Sequence, residues 1–457
     1  MTKVTHKEYD VVIIGGGPAG YMAANKAAQR RAKVALVEKD LIGGTCVNRG
    51  CVPTKALVNL GKSLKSTTRL LNIGVTNDVS KLNFQKVMDE ARCVSLEMRS
   101  QIEEMIQHNG VDVIRGEGRL SGERRVEVKT DDGVFEISAM SVIVATGSSP
   151  STPPIPGVDL DGVYTSDNVY VLKELPSRVT VIGAGAVGLE WASIFHNLGS
   201  EVNVIEMLGD ILPRESGDEV KIMLGGMMED SGISISTNTR VSNIEKTVQG
   251  LCATLSTGEK VESDIILMAG GRVPNNRGLG VEKYADIERG FIRTDNTMRT
   301  RSPWLYAVGD AVGRWMLAHI AMHEGLVAGE NVSGGETTMN YTAVPRCIFT
   351  APEIVFVGID EEEANKNGVE ARSVLYPMRI NCRALTLGEN RGVFKLIYGT
   401  KNGVVLGAQM LGPEVSELSG EISLAISKKA TIDDLRKTIH AHPTLSEAVW
   451  EASLRAG

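Results

Sequence analysis

The sequence predicts an α/β fold of two doubly wound units followed by a separate C-terminal α+β domain. Three observations predict it: a strand, glycine turn, helix, strand pattern near the N-terminus, a second copy of that pattern, and a final third that lacks it.

The first copy begins at Tyr9. The run YDVVIIGGGPAG is β-branched and ends in glycines, the stretch to about Arg31 is rich in alanine, and KVALVEKD reads as a strand closing on acid. Gly15, Gly17 and Gly20 stand at the G-x-G-x-x-G spacing, with Glu38 eighteen residues after the last of them. In the second copy, RVTVIGAGAVGLE followed by EVNVIE, the same places are taken by Gly183, Gly185, Gly188 and Glu206. One glycine-rich turn can arise from packing alone. Two, each framed by a strand and answered by an acid, point to two Rossmann-like dinucleotide sites, because glycine lets a pyrophosphate approach the backbone and a helix N-terminus favours anions. Glu206 favours NAD over NADP: a carboxylate accepts from a free ribose hydroxyl and repels a phosphate, and Met207, Leu208 and Gly209 bring no arginine.

Between the copies, the proline-rich SSPSTPPIPG from Ser148 to Gly157 marks a boundary, preceded by a helical stretch around residues 55–108. From about Tyr341, strand-like runs (EIVFVG, VFKLIYG, GVVLGAQML) mix with helical ones. Two shorter signals sit at strand ends: ATGS at 145–148, which returns the chain to a bound dinucleotide, and YAVGD at 306–310, where Asp310 is placed to accept from polyol hydroxyls.

A chain of 457 residues exceeds what one core supports, so several domains are expected. The net charge of −7, with no clustered Lys or Arg, argues against a nucleic-acid footprint. The opening MTKVTHKEYD has no apolar signal core, and no stretch nears the roughly 18 apolar residues that span a bilayer. A cytoplasmic protein without a membrane partner is therefore expected.

The six cysteines, at 46, 51, 93, 252, 347 and 382, are too scattered to staple the chain, and only Cys46 and Cys51 sit close together. GGTCVNRGCVPTK places that pair at the start of a helix, where the partial positive charge lowers a thiol pKa. The competing reading, a metal half-site, lacks a second ligand pair, and no metal is expected. Near the C-terminus, HAHPTLSE sets His442 and Glu447 on either side of a proline turn. A carboxylate that fixes the imidazole tautomer makes His442 a candidate general base, although a histidine there is more often an ordinary packed residue, as His440 is read here.

Taken together, these segments resemble the pyridine nucleotide-disulfide oxidoreductases of the glutathione reductase superfamily, most closely the members that oxidise dihydrolipoamide. GGTCVNRGCVPTK and HPTLSE carry the likeness, supported by GRVPN at 271–275 and MLAH at 316–319. The resemblance implies an FAD-binding domain of residues 1–148 and 274–341, an NAD-binding domain of 149–273, and a dimerisation domain of 342–457. It implies FAD contacts at Gly15, Gly17, Gly20, Glu38, Gly44, Thr45, Cys46, Lys55, Gly118, Thr146, Asp310 and Ala318. NAD contacts would fall at Gly183, Gly185, Gly188, Glu206, Val241 and Gly271. It further implies that Cys46 exchanges with substrate, that Cys51 faces the flavin, that Lys55 pairs with Glu190 beside it, and that His442 and Glu447 serve the opposite subunit of a homodimer. No lipoyl-type segment precedes the first fingerprint, so a lipoyl-bearing partner is expected on another chain.

Related readings make different demands. Glutathione reductases typically use NADP, with arginines after the second strand and a tyrosine where Val187 stands; mercuric reductases usually end in a vicinal cysteine pair, and this chain ends in EASLRAG. A flavin-binding subunit without turnover needs none of the thiols, Lys55, Glu190, His442 or Glu447. Phe349, Ala351, Trp191 and Trp315 stand either as neutral variation or as adjustments of a substrate channel.

Overall fold

The computed structural model describes residues 7–72 and 82–456, so residues 1–6 of the opening and 73–81 of the helical stretch lie outside the described residues. The strand Lys7–Ile14 pairs in parallel with Val34–Glu38, with Val11 opposite Val34 and Ile14 opposite Val37. Both strands are buried at their apolar ends, as expected of parallel strands covered on two faces. The helix Pro18–Gln29 crosses between them, opened by proline at its first turn, where the missing N–H costs nothing.

The sheet runs in the order Asp112–Arg115, Val34–Glu38, Lys7–Ile14, Gly133–Val144, Arg125–Thr130 and Glu117–Gly122, and Leu305–Ala307 joins alongside Gly133–Val144. That late strand matters most for the site. It sets Tyr306 opposite Ile143 in parallel, so the segments after it and after Val144, which carry Asp310 and Thr146, leave the sheet at the same end as the first glycine turn. Ligands of such sheets sit beyond the carboxyl ends of the strands.

A second parallel sheet repeats the design in the order Ser234–Ser236, Glu201–Ile205, Arg178–Ile182, Ile265–Met268 and Val163–Thr165. Its fingerprint helix is Ala186–Leu198, and a three-stranded antiparallel sheet from Val241 to Ser263 packs beside it. The proline-rich segment is not a free linker. Its strand Ser148–Pro150 pairs antiparallel with Arg272–Pro274, so the two crossings between the units form one ribbon.

The C-terminal sheet is antiparallel, in the order Arg346–Ile348, Glu353–Gly358, Val405–Gly412, Val393–Gly399 and Ala371–Pro377. It contains the three strand-like runs read from the sequence. The helices Ser419–Ser427 and Glu447–Arg455 bury Ile422, Ala448, Val449 and Ala452 in the same core as Phe394, Leu396 and Met410. Among the described residues, no helix is long and apolar enough to cross a membrane.

Candidate functional site: a dinucleotide cleft beside a cysteine pair

The two fingerprints fold alike. Gly15 and Gly183 open the turns at φ of 110° and 109°, in the left-handed region that favours glycine. The third glycines leave no room: a Cβ on Gly20 would lie 1.8 Å from the Gly15 carbonyl oxygen, and one on Gly188 would lie 1.9 Å from that of Gly183. The middle glycines differ. A Cβ on Gly185 would meet nothing within 4 Å, and one on Gly17 would only approach Gly44 at 3.9 Å. Each middle glycine is also the N-cap of its helix without a side-chain cap, so first-turn N–H groups remain available to an anion.

The acids also match. Glu38 accepts from the Gly16 and Asp40 amides at 2.6 and 2.7 Å, and Glu206 accepts from Ala184 and Leu208 at 2.7 and 2.8 Å. Both carboxylates are buried, yet each has further lone pairs with which to take a ribose hydroxyl. Gly271, at φ of 113°, has open space at its Cβ position, whereas Val241 is buried in the core and could offer a ligand only its backbone.

These roles make a contrast that can be tested. Gly188→Ala is expected to lower the melting temperature and nucleotide affinity together, because backbone must shift to relieve the clash. Gly185→Ala is expected to leave melting within a few degrees and still weaken NADH binding about tenfold or more, since its methyl intrudes only where a ligand would lie. Thermal melts and NADH titration of both variants separate the effects.

A cleft of about 670 Å³ opens at the first fingerprint, lined by Gly17, Glu38, Gly44, Thr45, Cys46, Cys51, Lys55, Gly118, Thr146, Glu190, Asp310 and Ala318. Gly15 and Gly20 lie beneath this surface, where Gly15 packs on the Ala145 carbonyl. The cysteine segment is docked directly on the fingerprint turn: the Gly43 amide donates to the Gly16 carbonyl at 2.9 Å, and a Cβ on Gly44 would be 2.7 Å from the Gly17 Cα.

The cysteines are not both at one helix start, as the sequence had implied. Cys46 lies inside the short helix Gly44–Arg49, the chain breaks at Gly50, and Cys51 is the first residue of the long helix Cys51–Asn72. Each thiol therefore lies in the first turn of a helix, but the two helices are different ones. Both thiols are free. A hydrogen bond from Cys46 and the nearby Lys55 cation bring the Cys51 thiol down to about 7, whereas its bond to Cys51 and burial push Cys46 up. One thiolate is thus held by the other thiol.

Lys55, one turn along the same helix, donates from Nζ to both Glu190 oxygens at 2.9 and 2.8 Å. Glu190 comes from the second fingerprint helix, so this ion pair bridges the two units. Asp310 also lines the cleft; burial pushes its carboxyl up and Ser148 Oγ donates to it at 2.5 Å. Gly118 lies on an adjoining strand, its Cβ position 3.2 Å from Val37, and Ala318 begins the helix Ala318–Asn331. Thr146 donates to the buried Asn276 at 3.1 Å.

His442 and Glu447 are brought together, but they do not line this cleft. His442 Nδ1 lies 2.8 Å from Glu447 Oε1, and Glu447 Oε2 accepts from the Thr444 amide at 2.8 Å. Those bonds hold the Glu447 carboxyl below its usual range against the opposing effect of burial. The His442 side chain is 68% exposed, free to meet another surface. His440, by contrast, is packed and paired with Glu421 at 2.9 Å.

Sequence reasoning missed several groups at the cleft. Tyr170, from the second unit, reaches Thr54 Oγ1 at 2.6 Å behind Cys51, with no local pattern to announce it. Arg272 donates to Ser148 Oγ at 2.7 Å and so braces Asp310 through that hydroxyl; its only sequence signal was GRVPN. Glu324, buried and pushed up to about 7 mainly by desolvation, accepts from the Gly309 amide and fixes the turn carrying Asp310. Among the described residues, no group of three or more His, Cys, Asp or Glu is arranged to hold a metal ion.

Residues 9–325 match the family described as pyridine nucleotide-disulphide oxidoreductase, and residues 344–453 match its dimerisation domain. A dihydrolipoyl dehydrogenase of Chlamydia pneumoniae is 37% identical over 453 residues, covering 98% of this chain and 97% of the relative. One from Thermus scotoductus is 38% identical over 457 residues, with 98% and 97% covered. Among solved structures, LpdA from Mycobacterium tuberculosis superposes with a TM-score of 0.92 at 30% identity, covering 99% of this chain and 100% of that one. The HOCl-induced flavoprotein disulfide reductase RclA from Escherichia coli gives 0.89 at 28% identity, with 99% and 100% covered. A twice-built dinucleotide fold with a thiol pair at its first cleft, matched along nearly its whole length, belongs to the pyridine nucleotide-disulphide oxidoreductases.

Proposed function

We propose that this chain oxidises dihydrolipoamide to lipoamide with NAD as acceptor, the reaction named in its curated relatives, using FAD and the Cys46, Cys51 pair. The observation that carries the reading is that both thiols and the Lys55–Glu190 pair line the same cleft as the dinucleotide cradle of the first fingerprint. The residues present fit FAD: Gly17 and the uncapped helix behind it suit the pyrophosphate, Glu38 a ribose, and Asp310 the polyol chain. FAD held there would accept an electron pair from the dithiol and deliver it as hydride to NAD. Residues 1–148 and 274–341 would form its domain, residues 149–273 that of NAD, and residues 342–457 the interface of a homodimer.

In the oxidised protein Cys46 and Cys51 share a disulfide. A thiolate of dihydrolipoamide attacks Cys46, forming a mixed disulfide, and Cys51 leaves as a thiolate. Attack by the second substrate sulfur then releases lipoamide and leaves Cys46 reduced. Thiol acidities set this direction, because exchange is faster when the expelled sulfur has the lower pKa, and Cys51 is the more acidic of the two. The attacking thiol must first lose a proton, since a free thiol of pKa about 8.5 is mostly protonated at neutral pH. His442, oriented by Glu447, is the base we assign, acting from the partner subunit. The substrate is dihydrolipoamide, either free or carried as a lipoyl group on another chain.

Side-by-side rates with dihydrolipoamide, glutathione disulfide and mercuric ion, each with NAD(H) and NADP(H), test the assignment. Dihydrolipoamide with NAD should be fastest by about tenfold or more; faster turnover of either other substrate, or a preference for NADP(H), would overturn it.

A further inference from the structure

Phe349 follows the strand Arg346–Ile348 of the C-terminal sheet and packs against the apolar core of the second unit, and it also touches the ion pair that lines the cleft. Its amide donates to Glu190 Oε1 at 2.9 Å, and its ring centroid lies 4.7 Å from Lys55 Nζ. Lys55 Nζ is shared between both Glu190 oxygens at 2.8 and 2.9 Å. The ammonium is therefore held by a carboxylate and an aromatic face, and the carboxylate is held in turn by the Phe349 backbone.

Such an arrangement fixes a flexible cation. A lysine carries four rotatable stem bonds and loses considerable entropy when held in one geometry, and a ring face within about 6 Å attracts the ammonium through its quadrupole. We infer that Phe349 is a positioning residue: its ring holds the Lys55 ammonium beside Cys51, so the C-terminal domain of the same chain helps to set the acidity of the dithiol. This rests on the reading of Cys46 and Cys51 as the redox pair, and it assigns to Phe349 a role that the sequence alone left open.

The charged and titratable groups that face the two thiols are Lys55 from their own segment, Tyr21 from the first fingerprint helix, and Glu190 and Tyr170 from the second unit, while Cys347 of the C-terminal sheet senses the lysine. Of these, Lys55 supplies the favourable charge for a Cys51 thiolate and Glu190 opposes it. Loosening Lys55 therefore raises the Cys51 pKa. Leucine is the informative replacement, because it keeps an apolar side chain over the site and leaves the Phe349 amide bond to Glu190 in place while removing only the π face. Tyrosine restores the face.

The test is a pH titration of thiolate ultraviolet absorbance in the reduced, flavin-loaded protein, with Cys51→Ser used to assign the step to that thiol. The unsubstituted protein should form the thiolate with a midpoint near 7. Phe349→Leu should move that midpoint up by about half a unit, a roughly threefold loss in the ionisation constant, and Phe349→Tyr should return it to its original value. A midpoint that Phe349→Leu leaves in place, or that Phe349→Tyr shifts equally, overturns the inference while the redox-pair reading stands. If Phe349→Leu does not fold, Phe349→Met is read by the same criterion. The absence of any Cys51-dependent step in the unsubstituted protein would instead defeat the redox-pair reading itself.

Discussion

Cys51→Ser is expected to abolish lipoamide-linked turnover, by at least about a thousandfold, while FAD remains bound. The loss is large because exchange needs two sulfurs: with Cys46 alone a mixed disulfide with substrate can form only through an external oxidant, and no internal thiolate is left to be expelled. The flavin should stay because the groups that suit it, the Gly17 turn, Glu38, Asp310 and the start of Ala318–Asn331, do not depend on the sulfur. NADH should still reduce the bound flavin, and an added dye acceptor should still be reduced, since neither step uses the thiols. Lipoamide rates, flavin content after gel filtration and NADH-to-dye rates are the measurements. Retained lipoamide turnover would remove the cysteine pair from the electron route, and loss of FAD would show that Cys51 has a structural part in the cleft.

The cleft was legible in the sequence wherever local geometry dictates spacing. A strand that must turn into a helix around a pyrophosphate needs glycine at Gly15 for its φ, at Gly17 for open space and at Gly20 for contact with Gly15, so three residues within six positions report a whole βαβ unit. Glu38 and Glu206 were legible for the same reason: each closes a strand adjacent to its turn and binds the turn's own amides. Strands of the C-terminal sheet such as Val393–Gly399 were visible as apolar runs, but their neighbours were not, because pairing is set by tertiary contacts.

What spacing could not supply was assembly over distance. Lys55 and Glu190 are 135 residues apart, and only the family likeness joined them before the structure did. Tyr170 had no signal to mark it and Phe349 only an open one; each touches a residue that lines the cleft, Thr54 and Lys55 respectively, because a remote element packs there. The break at Gly50, which separates Cys46 from the helix start of Cys51, was also invisible, since GGTCVNRGCVPTK reads equally well as one helix. Its consequence is that the two thiols sit in the first turns of two successive helices and not of one.

The dyad at His442 makes the second large prediction. His442→Gln should lower lipoamide turnover by about a hundredfold or more, the usual worth of a positioned base, and leave NADH-to-dye rates unchanged. The same dyad permits a sharper test, because His442 is exposed and lies outside the lining of the cleft in its own chain. If it serves the partner, a hybrid dimer of a Cys51→Ser chain and a His442→Gln chain contains one complete centre: the cysteines of the second chain face the histidine of the first. Random pairing of equal amounts makes half the dimers hybrid with one working centre in two, so mixing two inactive proteins should restore about a quarter of the original rate. If each histidine served its own chain, no pairing would give a complete centre and the mixture would stay inactive. Refolding the two variants together, followed by a lipoamide assay and a count of hybrid dimers by mass, distinguishes a site built by two chains from a site built by one.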